Sequence, residues 1–440
     1  MHAAHYMPAP MYVCPSIARR LLNGAVLCAA LLRSQPAAPL TLEQCQRRAL
    51  QAASAASQAR REVQIAAAGK AMARTAFLPQ SAFTSSVLYN SPSRSDAFVQ
   101  SYAAWNGIRE YTALAGVFQE LDTSGRLRAG WRRARLQEAA ATAALAVSER
   151  DLKRAVAASY YRLLLARRLA AALAVSLEEA ESFERRIRQM AGEGEAARAD
   201  VVKASAQTAS LRQALEAARL SASLSNQDLA AFWSEDTSPP LEIEDVFESP
   251  DLSVPEAEDA TSRPFMLRPE IRLFDAQQQG FLAEARMARA ALLPQLRWTF
   301  SFGLDANRVA WRERGWAAAA EMSFPLFDWF QARRSARQAQ LRAAQVDEAR
   351  QAASRRFSRE YQSALASLRS LRDQLGLLKT ALELADEDVK LSRIRFEGGE
   401  GSALDVVTAQ RQAVDLRMNY YSALAAFFNA KRDLEVASGQ

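Results

Sequence analysis

Side-chain chemistry has few places to happen in this 440-residue chain. Its two histidines, His2 and His5, both fall in the first few positions, which excludes from the body a histidine-held metal, a Ser/His/Asp triad and histidine acid/base catalysis. Cys14, Cys28 and Cys45 show no C-x-x-C spacing, so no disulfide framework follows, and Cys45 reads as a small packing residue. The cluster Gly398, Gly399, Glu400, Gly401 could be taken for a phosphate cradle. Such a loop follows a strand, however, and this one follows a long helical segment, so it reads as a hairpin turn with Gly192 and Gly194 as its counterpart. Asp200 and Asp405 each open a helical stretch and read, by their own chemistry, as N-caps. No catalytic residue, cofactor or metal is expected, and the chain reads as a non-enzyme.

The elements that position these residues begin with composition. Hydrophobic residues at 49% and aromatics at 8% supply enough apolar surface to offset ordering entropy, so the chain folds. The net charge of +7 is spread among alternating acids and bases, a pattern of solvated helix faces and not of nucleic-acid binding. Arg19 and Arg20 precede an apolar run from Leu21 to Leu32 and then small residues through Ala37 and Ala38, which predicts a secretory signal over 1–38, with Met11 as an alternative start. Leu27 before Cys28 is not the small residue a lipidation signal wants. Beyond position 40 no run reaches the roughly 20 apolar residues of a spanning helix.

The chain reads twice. Leu78, Pro79, Gln80 recurs as Leu293, Pro294, Gln295; Leu121, Asp122 as Phe327, Asp328; and Asp200, Val201, Val202 as Asp405, Val406, Val407. The order is kept, so two tandem copies are predicted at 41–234 and 265–438, joined by an acidic, proline-containing linker at 235–264. In each copy a first helix (41 to about 77, and 269 to about 292) ends before a proline. Thr41 with Gln44 makes a capping box, and Pro269 suits a first helical turn. Then the period changes to two. Leu296, Trp298, Phe300, Phe302 and Leu304 alternate with Arg297, Thr299, Ser301 and Gly303, and a second run through Trp316, Met322 and Phe324 does the same. Strands are predicted at about 80–90, 110–119, 295–304 and 315–326. Very long helices follow, about 125–190 and 331–396, each broken by its glycines before a returning helix at about 196–233 and 403–436.

Four strands with one apolar face cannot stand alone in a bilayer, because unpaired edge N–H and C=O groups are costly in hydrocarbon. Closed barrels start at about eight strands, so several copies must close together, with the helices packed into a tube beyond them. Leu296, Trp298, Phe300, Phe302 and Phe324 are the expected lipid-facing residues, and Trp311 and Trp316 suit an interfacial aromatic belt.

On these two copies of helix, Leu-Pro-Gln, strand pair, Pro325-Leu326-Phe327-Asp328, long helix, glycine turn and Asp-Val-Val, the sequence resembles the TolC-like outer-membrane factors over about 41–438. The resemblance implies a mainly α protein with membrane β, a homotrimer whose protomers share a twelve-stranded barrel in outer-membrane lipid, and an α-helical tunnel through the periplasm. It implies a passive exit duct of a tripartite efflux system, docked to a periplasmic adaptor protein and an inner-membrane pump of RND or ABC type. Type I protein secretion is the alternative use of the same conduit; a periplasmic adaptor would carry one hairpin and not two copies, and a cytoplasmic scaffold would leave the signal and strands unexplained. The resemblance also implies that Asp405, and with it Thr408 and Asp200, lie at the pore constriction. Relatives often have a second acid where this chain has Thr408, and some have a basic residue where it has Gly401, so the ion-pair lock to Asp200 is not expected here.

Overall fold

The computed structural model describes residues 39–89, 91, 109–255 and 264–439. The signal stretch, with His2, His5, Cys14 and Cys28, lies outside the described residues, as do Asn90 and part of the linker. Two helices, α1 (Leu42–Gln51) and α2 (Ala55–Thr75), lead to strands β1 (Gln80–Tyr89) and β2 (Arg109–Leu121), then to a rod α3 (Arg126–Gly192) and a returning helix α4 (Arg198–Ala230). The second copy repeats the order with α5 (Pro269–Ala290), β3 (Gln295–Ala306), β4 (Arg314–Ser323), the rod α6 (Gln331–Glu397) and the return α7 (Ala403–Ser438). Each rod has 67 residues and therefore runs about 100 Å at 1.5 Å per residue. Rod α3 packs along α2, α4, α5 and α7, and rod α6 packs along α5 and α7. None of the described helices is long and apolar enough to cross a membrane.

The first helix differs from its single predicted span. It breaks at Ala52, whose backbone is extended, and restarts at Ser54, where Ser54 and Ser57 exchange side-chain and backbone hydrogen bonds as a capping box. Serine hydroxyls compete with the helix for backbone N–H groups, so a new N-terminus forms where alanine-rich sequence alone would continue. Thr41 and Gln44 form the expected capping box at the start of α1. The rods begin on repeated carboxylates: Asp122 accepts from the Leu127 and Arg128 amides, and Asp328 from the Phe330 and Ala332 amides.

The linker is more than a connecting loop. Leu40 and Ile243 form a bridge, Asn226 accepts from the Leu241 amide at 2.8 Å, and the Tyr160 hydroxyl donates to the Glu244 carbonyl at 2.7 Å. Ile243 and Phe247 are buried in the central core with Val156, Tyr160, Leu163, Leu229, Leu368 and Phe427. Phe247 stacks on Phe428 of α7, which stacks on Tyr161 of α3, so this strap ties both copies together. Cys45 is fully buried in the same core, and burial pushes its thiol up to about 11.

Candidate functional site

The four strands form one antiparallel sheet in sequence order, β1-β2-β3-β4. Register decides its chemistry. Val117, Phe300 and Ala318 are direct partners, as are Ala115, Phe302 and Trp316, and Leu121, Leu296 and Met322. Because successive side chains alternate, Phe83, Val87, Val117, Leu296, Trp298, Phe300, Phe302 and Met322 share one face. Thr84, Thr112, Glu120, Arg297, Ser301 and Glu321 share the other. Among the described residues, β1 and β4 each have a ladder partner on one side only. Gly303 is required for close approach: at φ +155, a Cβ there would sit 2.0 Å from the Ala113 carbonyl oxygen.

Two expected face residues differ in detail. Phe324 lies beyond β4, which ends at Ser323 opposite Gln295; the next positions are flanked by Pro325 and Pro294, and proline has no N–H for the ladder. Trp298 is half-buried, and its indole N–H donates to Gln119 Oε1 at 3.2 Å, which places it at the helix end of the sheet. Phe300 and Trp316 stack at 6.2 Å on the apolar face.

An aromatic group not singled out from sequence stands where β4 meets α6. Phe327 packs against Trp329 at 4.8 Å and Phe330 at 6.1 Å, and Trp329 is 78% exposed. Trp329 and Phe330 both have left-handed backbones, φ 52 and 63. That conformation costs roughly 1–2 kcal/mol for a residue with a Cβ. The first copy uses Gly125, φ 77, as the N-cap of its rod, where the second uses Phe330. The sequence signal was there: three aromatics in four residues, then Arg333 and Arg334.

At the far end of the rods the two turns share a geometry. Gly194 (φ 84) and Gly399 (φ 76) take the left-handed position, and the Glu195 and Glu400 amides donate back to the Met190 and Arg395 carbonyls at 2.8 and 2.9 Å. The other glycines serve differently. Gly192 is the last residue of α3 and Gly398 the C-cap of α6, both before the turn proper. A Cβ on Gly401 would press on the Phe396 nitrogen at 3.1 Å, so a basic side chain has no easy place there. Under the turns, Phe183 meets Phe396 edge to face at 5.3 Å over buried Ile187, Ala204, Ala403 and Val406.

The two aspartates are corrected by the structure. Neither is an N-cap. Asp405 is the third residue of α7; Ser402 is the cap, its hydroxyl accepting from the Asp405 amide at 3.3 Å while Asp405 Oδ2 accepts from the Ser402 amide at 3.0 Å. These hydrogen bonds, from backbone first, hold the Asp405 carboxyl below its ordinary range, with Arg395 adding to the effect. Asp405 remains exposed, and Thr408, also exposed, donates to the Leu404 carbonyl at 2.7 Å. Asp200 is half-buried behind Ala197, which offers no side-chain cap, and pairs with Lys203 of its own helix at 3.4 Å. Each aspartate is thus engaged within its own helix, although the residues beside them, Val201, Ala204, Val406 and Val407, share one apolar cluster.

A sheet with one apolar and one polar face, set on two 100 Å rods that each carry a shorter returning helix, defines a protomer of a membrane channel-tunnel. The comparisons agree: residues 40–235 and 266–440 match the outer membrane efflux protein family, and the chain belongs to that family. It is 26% identical over 337 residues to the pyoverdine export outer membrane protein OpmQ of Pseudomonas aeruginosa, covering 74% of this chain and 70% of that one. The CusC crystal structure superposes with a TM-score of 0.80 at 19% identity, over 90% of this chain and 92% of that one. The Campylobacter jejuni CmeC outer membrane channel superposes at 0.78 and 17%, over 90% and 85%. The protein is a TolC-like outer-membrane channel component reaching into the periplasm, and not an enzyme.

Proposed function

We propose that three copies close their sheets into a twelve-stranded barrel and form the passive exit duct of a tripartite efflux system, fed by an inner-membrane pump through a periplasmic adaptor. The carrying observation is the sheet: one apolar face, one polar face and, among the described residues, four strands with two unpaired edges, too few to close alone. In this reading β4 of one copy pairs with β1 of the next, Phe300 and Phe302 meet lipid, and Ser301 and Thr299 face the lumen. Family membership and the likeness to an exporter support small-molecule efflux.

The test is outer-membrane yield and native mass in detergent. Phe300→Asp, which sets a carboxylate in lipid, is expected to abolish assembly, whereas Ser301→Asp assembles as a trimer. Equal yields, or a stable monomer with full β-signal, overturn the reading.

In the same reading the rod tips form the constriction, and three exposed Asp405 carboxylates make a ring that favours cations. Asp200 contributes less, since Lys203 offsets it. Asp405→Ala is expected to lower cation selectivity in a planar bilayer more than Asp200→Ala does; unchanged selectivity with lost stability would reduce Asp405 to its capping role.

A further inference from the structure

The two rods start with opposite charge arrangements. Neither has an acid in its first turn, and cations there oppose the helix dipole. At α3 the first-turn arginines are answered: Arg126 pairs with Glu120 at 2.5 Å and Arg128 with Asp122 at 2.7 Å. At α6 they are not. Arg333, Arg334 and Arg337 are exposed and form no ion pair among the described residues. With Phe330 they fall at positions i, i+3, i+4 and i+7, one stripe of the helix, turned away from the buried Ala336, Ala339 and Ala343. The Arg333 guanidinium lies 5.9 Å from the Phe330 ring. The stripe continues from the strained, exposed Trp329 at the helix end of β4.

We propose that Trp329, Phe330, Arg333, Arg334 and Arg337 form a docking surface for anionic glycerophospholipid headgroups of the periplasmic leaflet. The inference rests on the barrel reading above, which sets the helix end of the apolar face at headgroup level. Aromatic rings beside guanidinium groups fit that layer, where one side is apolar and the other carries phosphate. A neighbouring copy is a poor source of the missing anion. The segment it would bring beside β4 and the start of α6 is its own 66–89, which contains Lys70 and Arg74 and no acid. The left-handed aromatics fit the same explanation: their strain persists because the rings gain from the interface.

The assembled full-length protein in detergent is offered equal amounts of phosphatidylglycerol and phosphatidylcholine, and retained lipid is counted by native mass measurement. The unaltered protein is expected to retain phosphatidylglycerol preferentially. The triple change Arg333→Gln, Arg334→Gln, Arg337→Gln should lower that preference by up to roughly a hundredfold, at about fivefold per arginine near an anionic surface, with oligomer and β-signal intact. Arg126→Gln with Arg128→Gln, whose partners are internal, should leave it unchanged. Phe330→Gly should raise the melting temperature in detergent, by releasing the left-handed strain, while reducing phosphatidylglycerol retention. Added inorganic phosphate should not displace the lipid. Equal retention by the unaltered and triple-changed proteins overturns the proposal, and so does loss of the oligomer in the triple variant with unchanged lipid preference, which would assign the arginines to contact between copies. Failure of the barrel reading is separately visible in the assembly of Phe300→Asp.

Discussion

Two waists of the molecule, one where α1, α3, α4 and the strap meet in the central core and one where α3, α5, α6 and α7 meet, use opposite chemistry. The waist near α1 and α4 is apolar: Leu229, Tyr160, Leu163 and Cys45 are fully or almost fully buried, and the strap presses Ile243 and Phe247 into them. The waist between α7 and α5 is ionic and open. A cavity of about 880 Å3 lies among α3, α5, α6 and α7, lined by Arg150, Arg154, Arg268, Arg356, Asp151, Glu270, Glu360 and Asp433. Arg268, almost wholly buried, bridges Glu270 at 3.0 Å and Glu360 at 2.7 Å, lies 3.9 Å over the Phe357 ring, and leaves its Nε without a hydrogen-bond partner. Arg150 meets Glu270 through two hydrogen bonds of 2.8 Å. The contrast teaches that a repeated fold does not need repeated chemistry. The first copy has α1 and the strap to fill its joint, while the second closes around charges that must neutralise one another.

The largest expected effect tests whether the ionic waist depends on mutual neutralisation. Arg268→Ala leaves Glu270 with Arg150 and Glu360 with Arg356, and removes two charged hydrogen bonds and the Phe357 contact, for a destabilisation of about 3–4 kcal/mol. Chemical denaturation of the helical body followed by far-ultraviolet circular dichroism measures it; a change below about 1 kcal/mol would make this waist a solvated surface pair instead. Leu163→Ala at the apolar waist comes next, at about 3 kcal/mol from lost burial and the cavity left behind. If it costs less than a surface substitution, the strap and α1 do not hold that joint.

Acid separates the waists further. Hydrogen bonds from Arg150 and Arg268 outweigh burial and depress the Glu270 carboxyl to about 2 from an ordinary 4.5. A depressed carboxyl contributes stability that is full above its unfolded value and is lost as pH falls toward its folded one. Stability is therefore expected to decline from about pH 4.5 toward 2 in the unaltered protein, and this component should be absent in Glu270→Gln. An identical acid profile in the variant would assign the decline elsewhere.

The smallest effect compares the tips. Ser402→Ala removes the cap of α7 and should cost about 1 kcal/mol, while Ala197→Ser offers α4 the cap it lacks and should gain up to about 1 kcal/mol. Amide hydrogen exchange in the first turns of the two helices reads both changes. Equal exchange in the two unaltered helices would show that the capping difference has no energetic weight.

Much of the plan was legible because it is written in local terms. Two periods of residues, the prolines that end α2 and α5, and glycines that turn left-handed at 194 and 399 act on the few residues around them, so the strands, rods and turns followed from the chain alone. Phe300 and Ser301 fall on opposite faces for the same reason: alternation needs no knowledge of the partner strand.

What only the tertiary structure decided is wherever two local preferences compete or distant groups meet. Asp405 looked like a cap from its place before Val406, yet Ser402, three residues earlier, takes that role and binds the carboxylate in return. Trp329 and Phe330, at the junction between β4 and α6, adopt backbones that their own propensity disfavours. The strap reads as a polar loop because its charged residues outnumber its apolar ones; Ile243 and Phe247 become core only when Tyr160, Asn226 and Phe428 are brought to them. The charges of Arg268, Glu270 and Glu360 have no sequence pattern that separates a solvated helix face from a buried joint. Burial depends on which helices pack together, and the energy of an ion pair changes severalfold with the water around it.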